Sequence, residues 1–167
     1  MSKITIGFSR PKTKKLFSEA IMLFDGFDAS HTYLQFEDSH HDLTLIYHAK
    51  GSNLHFMSKE VFDKENKTVY TFEIDLDKAK KHEVVTYLLK NAGKPYAVMQ
   101  IVGIALDILC KKLFRFSIKN LFSKGRKSMI CSEVVAYVLK MSGLKVKYNL
   151  DTITPKEVYD VCKQQLK

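Results

Sequence analysis

Acidic residues are nearly absent from the middle of this chain. Between Lys94 and Lys147 stand two of them, Asp107 and Glu133, against eleven Lys and Arg. That excess equals the net charge of the whole 167-residue protein, +9, so the remainder is balanced. A block of this kind suits phosphates, nucleic acid or an anionic membrane surface, or serves as a solvated basic face. Cysteine is scarce: Cys110, Cys131 and Cys162, an odd number at wide spacing. This excludes a disulfide framework, offers no zinc pattern, and points to free thiols in a reducing compartment. Long hydrophobic runs are missing. The longest, Ala97 to Cys110, is interrupted by Gln100 and Asp107 and is too short to span a bilayer. The first residues, Met1 to Phe8, lack the apolar core and cleavage site of a signal peptide. These absences predict a soluble, cytoplasmic protein. Repeats and low-complexity segments are also lacking. So is any aromatic-plus-basic motif of a nucleic-acid reader, which disfavours nucleic acid as the partner.

What is present is the material of a core. Hydrophobic residues make up 46% and aromatics 11% of the chain, which excludes disorder. The length suits a single domain over residues 1–167. Alternation predicts strands at Lys3–Phe8, His31–Phe36, Leu43–His48, Leu54–Met57 and Val69–Ile74. Helical spacing predicts helices at Lys14–Phe24, from Asp77 to a stop at Gly93, at Ala97 to about Leu113, and at Cys131–Met141. Val146–Leu150 reads as an edge strand. Thr154-Pro155-Lys156-Glu157 is a helix start, with Thr as N-cap, Pro in the first turn and Glu closing a capping box. Strands precede helices, so the expected class is α+β: an antiparallel sheet of about five strands packed with helices.

The chemistry centres on Ile130-Cys131-Ser132-Glu133. Cys131 opens an apolar helical run, where the positive end of the helix dipole favours the thiolate. A partner stands far upstream, His31 in Ser30-His31-Thr32-Tyr33. A hairpin centred on the polar loop 37–42 places Phe36 across from Leu43 and His31 across from His48. One histidine would then act as base while the other orients it. Cys110 and Cys162 read as structural. His40, His41 and His82 read as exposed. His55 could join His31 and His48 at a metal, but no carboxylate or thiol stands nearby at ligand spacing, so no metal is expected.

Four stretches resemble the circularly permuted members of the NlpC/P60 papain-like superfamily, above all its YiiX-like amidase branch. They are Ser30-His31-Thr32-Tyr33-Leu34, Leu45-Ile46-Tyr47-His48-Ala49, Gly93-Lys94-Pro95-Tyr96 and Ile130-Cys131-Ser132-Glu133-Val134-Val135. The resemblance runs from Ile4 to Met141. It implies a permuted papain-like fold and a cysteine-dependent hydrolase without cofactor. Cys131 would be the nucleophile, His31 the general base and acid, and His48 the group orienting the imidazole. Tyr96, Ser132 and Glu133 would stand near the thiolate and its oxyanion hole. The substrate would be a peptide-derived amide or isopeptide, or an ester or thioester. The long basic stretch between Tyr96 and Cys131 departs from the compact pattern of the superfamily, and no wall-binding repeat accompanies it.

Two other readings stay open. The same site could serve a lipid-derived acyl group, as in the lecithin:retinol acyltransferase-like proteins, with Lys111, Lys112 and Arg115 meeting anionic head groups. Or the chain could be a non-enzymatic basic module that binds nucleic acid or a protein partner.

Overall fold

The computed structural model describes residues 2–38, 41–50, 53–95, 115 and 130–166. Five strands form one antiparallel sheet: β1 (Ser2–Pro11), β2 (His31–Asp38), β3 (Leu43–Lys50), β4 (Asn53–Ser58) and β5 (Asn66–Leu76). Their order is β4-β3-β2-β1-β5. Among the described residues five helices accompany the sheet: α1 (Leu16–Asp25), α2 (Lys59–Glu65), α3 (Lys78–Asn91), α4 (Cys131–Met141) and α5 (Pro155–Gln165). The class is α+β, as the element order predicts.

Alternation along the strands divides the sheet into two faces. Ile4, Ile6 and Phe8 of β1, Leu34 and Phe36 of β2, Tyr47 of β3 and Leu54 of β4 lie on one face. They form the main core with Val84 and Leu88 of α3, Val134, Val138 and Leu139 of α4, and Val158 and Val161 of α5. The other face carries a smaller cluster, Tyr33, Ile46 and Phe62, with Met57 against it. There α2 closes the sheet.

Two local features shape that second face. Tyr33 lies across the backbone of Gly7, its register partner on β1. A Cβ at Gly7 would stand 1.9 Å from Tyr33 Cζ. The bare backbone lets the ring pass over β1 and its hydroxyl reach Thr68 Oγ1 on β5, at 2.8 Å. The second feature is α2 itself, which the strand-like pattern around it concealed. Ser58 starts it by accepting from Val61 N–H, and Phe62 drives it into the sheet.

The helix ends follow the sequence signals closely. Gly26 takes a left-handed conformation, φ 61°, and stops α1. Thr154 Oγ1 accepts from Glu157 N–H at 3.2 Å, and Glu157 returns to Thr154 N–H at 2.9 Å. The expected edge strand at Val146–Leu150 is absent. That stretch is irregular and leads into a 3-10 turn at Leu150–Thr152. Just before it, Lys145 N–H donates to Gln165 Oε1 at 2.9 Å, and Gln165 Nε2 donates to Lys145 O at 2.8 Å. Leu144, Val146 and Leu150 pack on the core from this looped path. The expected helix at Ala97–Leu113 lies outside the described residues.

Candidate active site

Cys131 is the first residue of α4. Its N-cap, Ile130, is extended (φ −95°, ψ 157°) and has no side chain able to cap. The first-turn N–H groups are therefore not claimed by an N-cap side chain, and they point toward the thiol end of the helix. Ser132, Val134, Val135, Val138 and Leu139 are all buried, so α4 is packed firmly into the core. α4 packs on β2, the strand that His31 begins.

Two opposing effects act on the thiol. Burial pushes the Cys131 thiol up. The charge of the His31 imidazole and its hydrogen bond pull the other way, as do hydrogen bonds from the Thr32 N–H and hydroxyl. The attraction wins, and the thiol settles at about 6. A cysteine with that value is a thiolate at neutral pH. The Thr32 hydroxyl is buried beside the thiol it helps to lower. Cys162, on the buried face of α5, shows what burial alone does: its thiol rises to about 12.

His31 in turn meets His48. Its Nε2 lies 3.2 Å from His48 Nδ1, with the rings edge-on at 74°. His48 is buried at 4% exposure. On its far side Nε2 lies 2.8 Å from Met57 Sδ, and the ring packs against His55 and Phe62.

The register that makes this contact differs from the one expected. The β2–β3 ladder runs from Asp38↔Leu43 to Leu34↔Tyr47, displaced by two residues from a hairpin centred on 37–42. The strands extend further toward the turn than the polar residues suggest, because Glu37 and Asp38 pair across to Thr44 and Leu43. A two-residue displacement keeps every side chain on its face. His31 and His48 thus remain on one face, diagonal rather than opposite, and their rings span the difference.

The neighbouring residues have distinct duties. The Glu133 carboxylate accepts from Ile130 N–H at 3.3 Å and so serves the start of α4. Burial raises Glu133 to about 7, with Asp151 adding repulsion against the help of Ile130 N–H. The Ser132 hydroxyl donates to Ile153 O. Its side chain ties α4 to the segment before α5. Tyr96, Lys111 and Lys112 lie outside the described residues. Arg115 is exposed. His41 is exposed and bonds Asp38 at 2.8 Å; His82 is exposed on α3. His31, His48 and His55 form a row of rings. Among the described residues no group of three His, Cys, Asp or Glu is arranged to hold a metal ion.

Thr32 and Met57 were not singled out by the sequence. Thr32 adjoins His31, but only the packing of α4 shows that it faces sulfur. Met57 needs the register of a third strand to be found.

No protein-family model matches this chain, and no curated protein is similar enough to count as a relative. The site stands on its own geometry. Among the described residues no helix is long and apolar enough to cross a membrane.

Proposed function

We propose that this protein is a cysteine-dependent hydrolase of the permuted papain-like type, with Cys131 as nucleophile and His31 as general base and acid. One observation carries the reading. A thiol lowered to about 6 at a helix start faces a histidine whose far nitrogen is held by a second histidine. A buried cysteine without a role resembles Cys162, not Cys131.

The reaction follows from these groups. The Cys131 thiolate attacks an amide, ester or thioester carbonyl and forms a C–S bond. The carbonyl oxygen becomes an oxyanion next to the uncapped N–H groups at the start of α4. The oxyanion collapses, the bond to the leaving group breaks, and the His31 imidazolium gives that group its proton. Neutral His31 then takes a proton from water, whose oxygen attacks the acyl carbonyl. Collapse releases the acid and restores the thiolate. His48 keeps the His31 ring in line throughout. A peptide-derived amide or isopeptide is the leading substrate class.

The test is acyl transfer from p-nitrophenyl acetate. The reading expects a p-nitrophenol burst of about one equivalent and an acetyl group located on Cys131 by mass. His31→Ala and Cys131→Ala should abolish both. A burst that survives Cys131→Ala would refute the reading.

A lipid-derived acyl substrate is the second reading, and one surface favours it. α1 exposes Leu16 at 91% and Leu23 at 74%, and Lys12, Lys14 and Lys15 stand exposed just before it. Apolar side chains beside cations suit an anionic bilayer surface. Sedimentation with phosphatidylserine vesicles, lost in a Leu16→Ser/Leu23→Ser variant, would support this reading. Failure to bind at low salt would remove it.

A further inference from the structure

We infer that Met57 is a positioning residue of this site: its thioether fixes the His48 tautomer and so the direction of proton movement through His31. The inference takes its catalytic meaning from the hydrolase reading above, but the tautomer assignment stands on geometry alone.

His48 has both ring nitrogens engaged. Nδ1 meets His31 Nε2 at 3.2 Å, and Nε2 meets Met57 Sδ at 2.8 Å. A ring turned by 180° would present carbon to both, so this orientation is the one with partners. A thioether sulfur has no hydrogen and can only accept. The proton between His48 and Met57 therefore sits on His48 Nε2. Neutral imidazole carries one N–H, which leaves His48 Nδ1 bare and accepting. The hydrogen of the other contact must then belong to His31 Nε2.

The consequence falls on His31. With Nε2–H committed to His48, Nδ1 is the nitrogen left for Cys131. Bare, it takes the thiol proton; protonated, it faces the thiolate and later serves the leaving group. Nε2–H stays in place in both states. The opposite His48 tautomer would point Nδ1–H at His31 and require Nε2 of His31 to accept. Neutral His31 would then hold its hydrogen on Nδ1, aimed at sulfur, with nothing left to take the thiol proton. Met57 disfavours that arrangement by offering an acceptor on one side of His48 only.

The strands make this placement specific. β3 and β4 pair His48 with His55 and Ile46 with Met57, so Met57 is diagonal to His48 on the same face. Met57 packs with Tyr33, Ile46 and Phe62, which hold the sulfur against the ring. His48 is met by His31 from β2, by His55 and Met57 from β4, and by Phe62 from α2.

The experiment labels the histidine ring nitrogens and reads the His48 tautomer by long-range nitrogen–proton NMR. It compares the wild type with Met57→Leu, which keeps the volume, and Met57→Gln, which restores an acceptor. Wild type and Met57→Gln should carry the proton on Nε2; Met57→Leu should show a mixture of tautomers. In the same samples the pH midpoint of Cys131 alkylation should rise in Met57→Leu by up to about one unit, the equivalent of one modest hydrogen bond, and return in Met57→Gln. A wild-type His48 protonated on Nδ1 would overturn the inference. So would a Met57→Leu variant with an unchanged tautomer and midpoint. If Met57→Leu fails to fold, the wild-type and Met57→Gln spectra still decide the tautomer. If Cys131 alkylation in the wild type ignores His31, the hydrolase reading fails while the tautomer result stands separately.

Discussion

His31 and His48 meet across the β2–β3 seam, Nε2 to Nδ1 at 3.2 Å, with the second ring buried and the first half-buried. This contact joins a thiol at the start of a helix to the interior of the sheet. It favours one orientation of the His31 ring. Catalysis by a thiolate–imidazole pair depends on that orientation as much as on either residue.

Thr32 should contribute to the thiolate through its hydroxyl. Thr32→Val keeps shape and backbone N–H and removes that donor. The alkylation midpoint of Cys131 should rise by about half a unit to one unit, with little loss of reactivity at high pH. An unmoved midpoint would assign the whole effect to His31 and the Thr32 backbone.

Glu133 should make stability fall as pH rises. Its carboxyl is raised to about 7 in the folded chain from an ordinary value of 4.5. The folded state therefore holds the proton more tightly than the unfolded state. Stability from this group is full below about pH 4.5 and is lost progressively up to about pH 7. The difference between wild type and Glu133→Gln in urea denaturation isolates it. Gln stays neutral and should gain on the order of 2 kcal/mol relative to wild type across that window. A constant difference across pH would contradict the assignment.

Gly7 should be intolerant of a side chain because of Tyr33. Gly7→Ala should cost about 1–3 kcal/mol by driving the Tyr33 ring off the strand. In Tyr33→Leu the same substitution should cost about 1 kcal/mol less, a coupling that a double-mutant cycle measures. Additive costs would mean that the ring is not the obstacle.

Much of this fold is legible from local chemistry, and the parts that are not share a cause. Alternation finds each strand, and Gly26 and Thr154 mark helix ends that the backbone adopts. Cys131–Met141 has the limits its apolar spacing predicts. The register of the hairpin does not follow from composition, because Glu37 and Asp38 look like loop residues yet pair in the ladder. The face shared by His31 and His48 survives that error, since the displacement is an even number of residues. Val146–Leu150 has strand chemistry, but Val146 and Leu150 pack on the core from an irregular path, and Gln165 holds the backbone of Lys145 just before it. Met57 is invisible to any local reading, because its partner is set by the β3–β4 pairing. The resemblance puts Glu133 near the thiolate without giving it a duty, and its bond to Ile130 N–H ties it to the start of α4.

The most direct test is the pH dependence of iodoacetamide alkylation, read by mass for each cysteine, in wild type and His31→Ala. The account predicts a Cys131 midpoint near 6 in the wild type and an inert Cys162 at neutral pH. Without His31, burial acts unopposed by its charge, and the Cys131 midpoint should move to the ordinary thiol value of 9.0 or above. A wild-type Cys131 that titrates like an ordinary thiol, or one whose midpoint ignores the loss of His31, would contradict the thiolate–imidazole pair and the hydrolase built on it.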